Sequence, residues 1–136
     1  MPTQIYVNLP VKDLDRSVGF FRQLGYGFDP KFTDHNATCM IVGENIFVML
    51  LVEKFFQTFT SKVIADASRT TEAIVCLSAD SRAAVDALVD KALAAGGTAS
   101  GEVQDHGWMY GRSFQDLDGH LWEVVHMDLN APGAPQ

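Results

Sequence analysis

An internal repeat constrains this chain more than any other feature. Val7-Asn8-Leu9 and Val75-Cys76-Leu77 correspond at an offset of 68 residues (7 to 75), and similar patterns follow each. A repeat of this kind is one supersecondary unit used twice. Ile5 to Val11 reads as a strand. Asp13 caps the helix that follows, because its carboxylate accepts the unpaired first-turn N–H groups. Leu14, Val18, Phe21 and Leu24 recur at helical spacing, and Gly25 ends the helix. Residues 37–42 and 46–52 read as strands joined by Gly43-Glu44-Asn45.

The second half repeats this order. Residues 73–79 read as a strand. Asp80 or Ser81 caps a helix carrying Val85, Leu88, Val89, Ala92 and Leu93, and Gly96-Gly97 stops it. Residues 108–115 and 120–127 read as a hairpin around Asp116-Leu117-Asp118-Gly119. Each half therefore reads as strand, helix, then two or three strands, an α+β plan in which two halves could pair their sheets and share a core. One domain is expected, with module one at about 4–53, a linker at 54–71, module two at 72–128 and a loose tail at 129–136. Phe55, Phe56 and Phe59 in the linker are expected to pack. Half a chain of this length buries too little surface to stand alone.

Composition removes several classes. The formal net charge of −7 opposes binding to phosphate backbones, so no nucleic-acid partner is expected. No run approaches the roughly 18 apolar residues of a membrane helix. The first residues show no basic region before an apolar run, so a cytoplasmic protein is expected. Cys39 and Cys76 form no CxxC pair and read as reduced thiols.

Leu9-Pro10-Val11-Lys12-Asp13-Leu14-Asp15-Arg16-Ser17, then Phe20-Phe21 and Leu24-Gly25-Tyr26, resembles the opening of a vicinal oxygen chelate protein. Phe114-Gln115-Asp116-Leu117-Asp118-Gly119-His120-Leu121-Trp122-Glu123 resembles the closing hairpin of that superfamily, which includes glyoxalases, bleomycin-resistance proteins and extradiol dioxygenases. The resemblance implies an α+β fold of two βαβββ modules forming a cupped, mostly antiparallel sheet, with helices on the convex face and a ligand site on the concave face. In catalytic members it also implies a divalent metal held there by His, Glu or Gln side chains. Carried onto this chain, the ligand positions fall on Tyr6, Ile74, Met49 (or Phe47, if the turn is one pair shorter) and Glu123. Of these only Glu123 is a good ligand for a hard divalent ion. No metal and no other cofactor is therefore expected at this place.

The histidines offer no replacement. His35, His106 and His120 fall in loops or at a turn. His126 has the opposite strand parity to Glu123. No pair has metal-site spacing, and His106 alone sits in a loop able to bend over the cup.

A four-residue loop at 116–119 pairs Arg112 with Glu123 on one face. This sets up an expected guanidinium–carboxylate floor for the site. By the same parity Trp108, Tyr110 and Phe114 line the cup with Leu121 and Val125, and Asn8 and Cys76 join Tyr6 and Ile74. The expected ligand-binding set is thus Tyr6, Asn8, Met49, Ile74, Cys76, Trp108, Tyr110, Arg112 and Glu123. Glu123 and Tyr110 are the candidates for any catalysis.

Three functions stand open at this point. The first is a metal-free protein binding a small amphipathic or aromatic molecule; the resemblance implies a homodimer. The second is a lyase or dioxygenase of the glyoxalase or extradiol type, whose chemistry needs the metal. The third is an interaction module with a filled cup.

Overall fold

The computed structural model describes residues 1–136, which divide into two compact units, Met1–Asp66 and Ala67–Gln136. In the first unit, strand β1 (Ile5–Val11) leads into helix α1 (Leu14–Gln23). Asp13 starts that helix, its Oδ1 accepting the Arg16 N–H at 3.1 Å. At the other end Gly25 takes a φ of +106°, the left-handed conformation that turns the chain out of the helix. Strands β2 (Gly27–Asp29), β3 (Ala37–Gly43) and β4 (Ile46–Val52) follow, then a short helix α2 (Glu53–Phe56) and a 3₁₀ turn at Gln57–Phe59.

The strand order is β1-β4-β3-β2, with β1 parallel to β4 and the other pairs antiparallel. The parallel pair follows from chain direction. The helix carries the chain back, so that β2 starts out in the direction of β1, and the two hairpin turns then reverse it twice, so first and last strands run the same way. Helix α1 covers one face. Its Phe20 and Phe21 are buried and meet edge to face at 4.9 Å. Beneath it lie Met40, Val48 and Leu50, each at most 1% exposed. Burying a ring or aliphatic side chain this fully contributes about 2 kcal/mol.

The second unit uses the same plan. Strand β5 (Ile74–Ser78) leads into α3 (Arg82–Ala94), then β6 (Thr98–Ala99), β7 (Gln104–Asp105), β8 (Met109–Gln115) and β9 (Leu121–Met127). Ser81, not Asp80, caps α3, its Oγ accepting the Ala84 N–H at 3.0 Å. The order is β5-β9-β8-β6, with β7 also paired to β8 and β5 parallel to β9. Val85, Val89 and Ala92 of α3 are buried on the same sheet face as Phe114, Trp122 and Val124. Phe114 and Trp122 stack there at 6.2 Å.

The α+β class and the repeated module are as the sequence leads one to expect. The hydrogen bonding, however, forms a four-stranded and a five-stranded sheet rather than one sheet. Of the linker rings, Phe55 and Phe59 pack edge to face at 5.2 Å across α2 and the 3₁₀ turn. The last residues are not loose throughout. Ala131 and Ala134 close successive turns onto the carbonyls of Asp128 and Ala131.

Candidate functional site

Each sheet has one face under its helix and one face turned away. Strand parity and register assign side chains to these faces. In the first unit Tyr6 lies beside Phe47, and Asn8 beside Met49, which lies beside Cys39. These occupy the face away from α1, because their neighbours Val48, Leu50 and Met40 lie beneath that helix. The Tyr6 and Phe47 rings stack at 4.9 Å with planes 15° apart. The Tyr6 hydroxyl donates to Gln4 Oε1 at 3.0 Å.

In the second unit Ile74 lies beside Leu121, and Cys76 beside Glu123, on the face away from α3. Burial pushes the Cys76 thiol pKa up, and the nearby Glu123 charge pushes it further. Cys76 is therefore a neutral thiol rather than a nucleophilic thiolate. Six of the expected ligand-binding residues thus lie on the faces away from the helices: Tyr6, Asn8 and Met49 in one unit, Ile74, Cys76 and Glu123 in the other.

Tyr110 and Arg112 do not, and Trp108 lies outside the strands. Gln115 pairs with Leu121, and Ser113, not Arg112, stands opposite Glu123. The expected Arg112–Glu123 pair is therefore absent. The loop is shorter than expected: Asp116 N–H donates to the His120 carbonyl at 3.0 Å, leaving a three-residue turn at Leu117, Asp118 and Gly119. Gly119 takes a φ of +91°, the left-handed position of such turns. One residue of register moves every side chain of a strand to the opposite face.

Tyr110, Arg112 and Phe114 accordingly face α3. The Tyr110 hydroxyl donates to Asp86 Oδ1 at 2.7 Å. Arg112 Nη1 pairs with Asp86 at 3.0 Å and Asp90 at 2.9 Å. Arg82 lies over the Tyr110 ring at 4.4 Å and pairs with Asp105. The Tyr110 hydrogen bond, followed by that of Arg112, holds the Asp86 carboxyl below the usual carboxylate range. Tyr110 is thus placed away from Glu123, against its expected role as a partner in catalysis. Trp108 precedes β8 and lies beside the end of the chain. Its carbonyl accepts Asp128 N–H at 2.7 Å, and a Cβ at Gly133 would come within 3.9 Å of its ring.

The donor chemistry does not fit a divalent metal at the superfamily's ligand positions. Ile74 offers hydrocarbon, Met49 a thioether and Tyr6 a phenol stacked on Phe47. Nowhere do three His, Cys, Asp or Glu side chains converge. His126 turns to the α3 side, with Nδ1 3.0 Å from the Ala79 carbonyl. His35 and His106 are exposed.

One feature had no signal in the sequence. An open pocket of about 280 Å³ lies between α1 and the β2–β3 segment, lined by Leu14, Asp15, Val18, Arg22, Phe28 and Asp34 among others. The Arg22 guanidinium lies 5.6 Å from the Phe28 ring centre.

Residues 3–43 match the family model described as bleomycin resistance protein-like N-terminal. No curated protein matches the chain. Among solved structures, a hypothetical protein from S. aureus is 29% identical, with 93% of this chain and 95% of that one covered and a TM-score of 0.78. A glyoxalase-related enzyme from Fulvimarina pelagi is 17% identical, with 99% and 100% covered and a TM-score of 0.79. TnmS3, an antibiotic binding protein from Streptomyces sp. CB03234, is 16% identical, with 93% and 97% covered and a TM-score of 0.65. No helix here is long and apolar enough to cross a membrane. The match over residues 3–43 makes the first module similar to a bleomycin resistance protein-like N-terminal unit, and along its length the chain shares the fold of solved structures named for the glyoxalase, bleomycin resistance and dioxygenase group.

Proposed function

We propose that this chain binds a small amphipathic or aromatic molecule on the sheet faces turned away from its helices, without a resident divalent metal. The carrying observation is the make-up of those faces. In the first unit the face combines a stacked Tyr6–Phe47 pair and Met49 with Asn8, and in the second it combines Ile74, Leu121 and Val125 with Cys76 and Glu123. That mixture suits a small-molecule site, where apolar area supplies affinity and sparse polar groups set orientation. The likeness to an antibiotic binding protein supports the same reading. The lyase or dioxygenase alternative requires a metal held by donors that these positions lack. The homodimer implied by the resemblance is part of this proposal.

Elemental analysis of the purified protein, with thermal unfolding in added Ni²⁺, Zn²⁺, Mn²⁺ and Fe²⁺, tests it. The expected result is no stoichiometric metal and no stabilisation beyond about one degree. A stoichiometric metal, or a shift of several degrees with one ion, would overturn the metal-free reading.

A further inference from the structure

Glu123 sits in the middle of the second unit's sheet, on β9 between Cys76 of β5 and Ser113 of β8. Along β9, the residues on the same face are Leu121 and Val125, and Ile74 adjoins Leu121. The carboxylate is half-buried in an apolar setting. None of the molecule's ion pairs uses it. Arg112, the cation nearest along the neighbouring strand, lies on the opposite face and is held by Asp86 and Asp90. The Ser113 hydroxyl is donated to the Ser100 carbonyl. The Cys76 thiol stays neutral.

A molecule that covers this face strips water from Glu123. A neutral apolar body leaves the charge without a partner, which costs far more than burying a neutral polar group. A ligand carrying its own N–H⁺ group replaces the lost water with a charge-assisted hydrogen bond. The net charge of −7 acts in the same direction at long range, attracting cations and repelling anions. Resting on the binding reading above, we infer that the molecule taken on this face is a small organic cation: an amine or ammonium group on an apolar or aromatic body, with the nitrogen paired to Glu123. On this reading the carboxylate at the superfamily's metal-ligand position serves as an organic counter-ion.

Three probes of matched body separate the contributions: 4-phenylbutylamine, 4-phenylbutan-1-ol and 4-phenylbutyrate, each titrated into the ¹⁵N-labelled full chain. The amine is expected to shift the amides of Cys76, Ser113 and Glu123 and to bind about tenfold tighter than the alcohol, with the carboxylate weakest. In Glu123→Gln the amine should fall to the affinity of the alcohol, and the alcohol should be unchanged. Equal binding of amine and alcohol to the unsubstituted protein, or a preference that survives in Glu123→Gln, would overturn the cation inference and leave sheet-face binding standing. If neither probe moves any amide of β5, β8 or β9, the sheet-face reading falls with it. The ranking on the unsubstituted protein decides the matter even where the variant does not fold.

Discussion

Asp116 is 6% exposed and organises the last hairpin from inside its turn. Its carboxylate accepts Trp122 Nε1–H at 2.9 Å and the N–H groups of Asp118 and His120 at 3.0 Å. Burial raises its pKa despite those bonds. The folded state therefore holds this proton to higher pH than the unfolded chain does. The resulting stabilisation is complete below the ordinary aspartate value and is lost as pH rises through the raised one. Replacing Asp116 by Ala leaves the fully buried Trp122 indole N–H and two turn amides without acceptors. A loss of about 3 kcal/mol is expected, read from urea unfolding followed by tryptophan fluorescence. A change under about 0.5 kcal/mol would show that water takes over the role. At this scale the sequence was legible where chemistry is local. Asp13 as a cap and the presence, though not the length, of the turn after Gln115 follow from side chains acting within a few residues of themselves. Ser81 over Asp80 did not, since either side chain is able to cap.

Helix α3 and strand β8 are joined by charge as well as by packing. Arg112, 20% exposed, reaches two carboxylates one turn apart on the helix, and Tyr110 donates to the first. Asp86 and Asp105 both have lowered pKa values, the first chiefly through Tyr110 and the second through Arg82. For lowered carboxyls the sign is the reverse of that for Asp116: their stabilisation is present above the ordinary aspartate value, near ~3.9, and lost as pH falls through the lowered ones. In Arg112→Met the Asp86 carboxyl is expected to titrate closer to the ordinary value, because one of its two side-chain donors is gone. Carboxyl ¹³C shifts against pH measure this, and an unchanged Asp86 curve would show that Tyr110 alone holds it. Thermal stability should fall by several degrees at neutral pH, and the deficit should shrink in acid. This network was not readable beforehand, since Asp86 lies 24 residues from Tyr110. The short strands β2, β6 and β7 likewise leave no pattern in the sequence. Two or three residues carry no alternation to detect.

For the molecule as a whole, the division at Asp66–Ala67 falls within the stretch between the 3₁₀ turn and β5, which has neither helix nor strand. Lys62 and Arg69 in this stretch are exposed. Limited trypsin digestion is expected to cut first after one of them, giving two fragments of nearly equal mass by mass spectrometry. First cleavage after Arg112 instead would mean that β8 opens more readily than this connection. The repeat, the α+β class, both long helices and the six long strands were determined by the sequence by itself. Each rests on periodicity, caps and turns, which act over a few residues. Only the tertiary structure decided which face of the last hairpin carries Arg112 and which carries Glu123. That choice hangs on one residue of turn length and on the carboxylates of a helix distant in sequence. Because side chains alternate along a strand, the one-residue difference took the guanidinium from the expected site and left Glu123 without a protein cation.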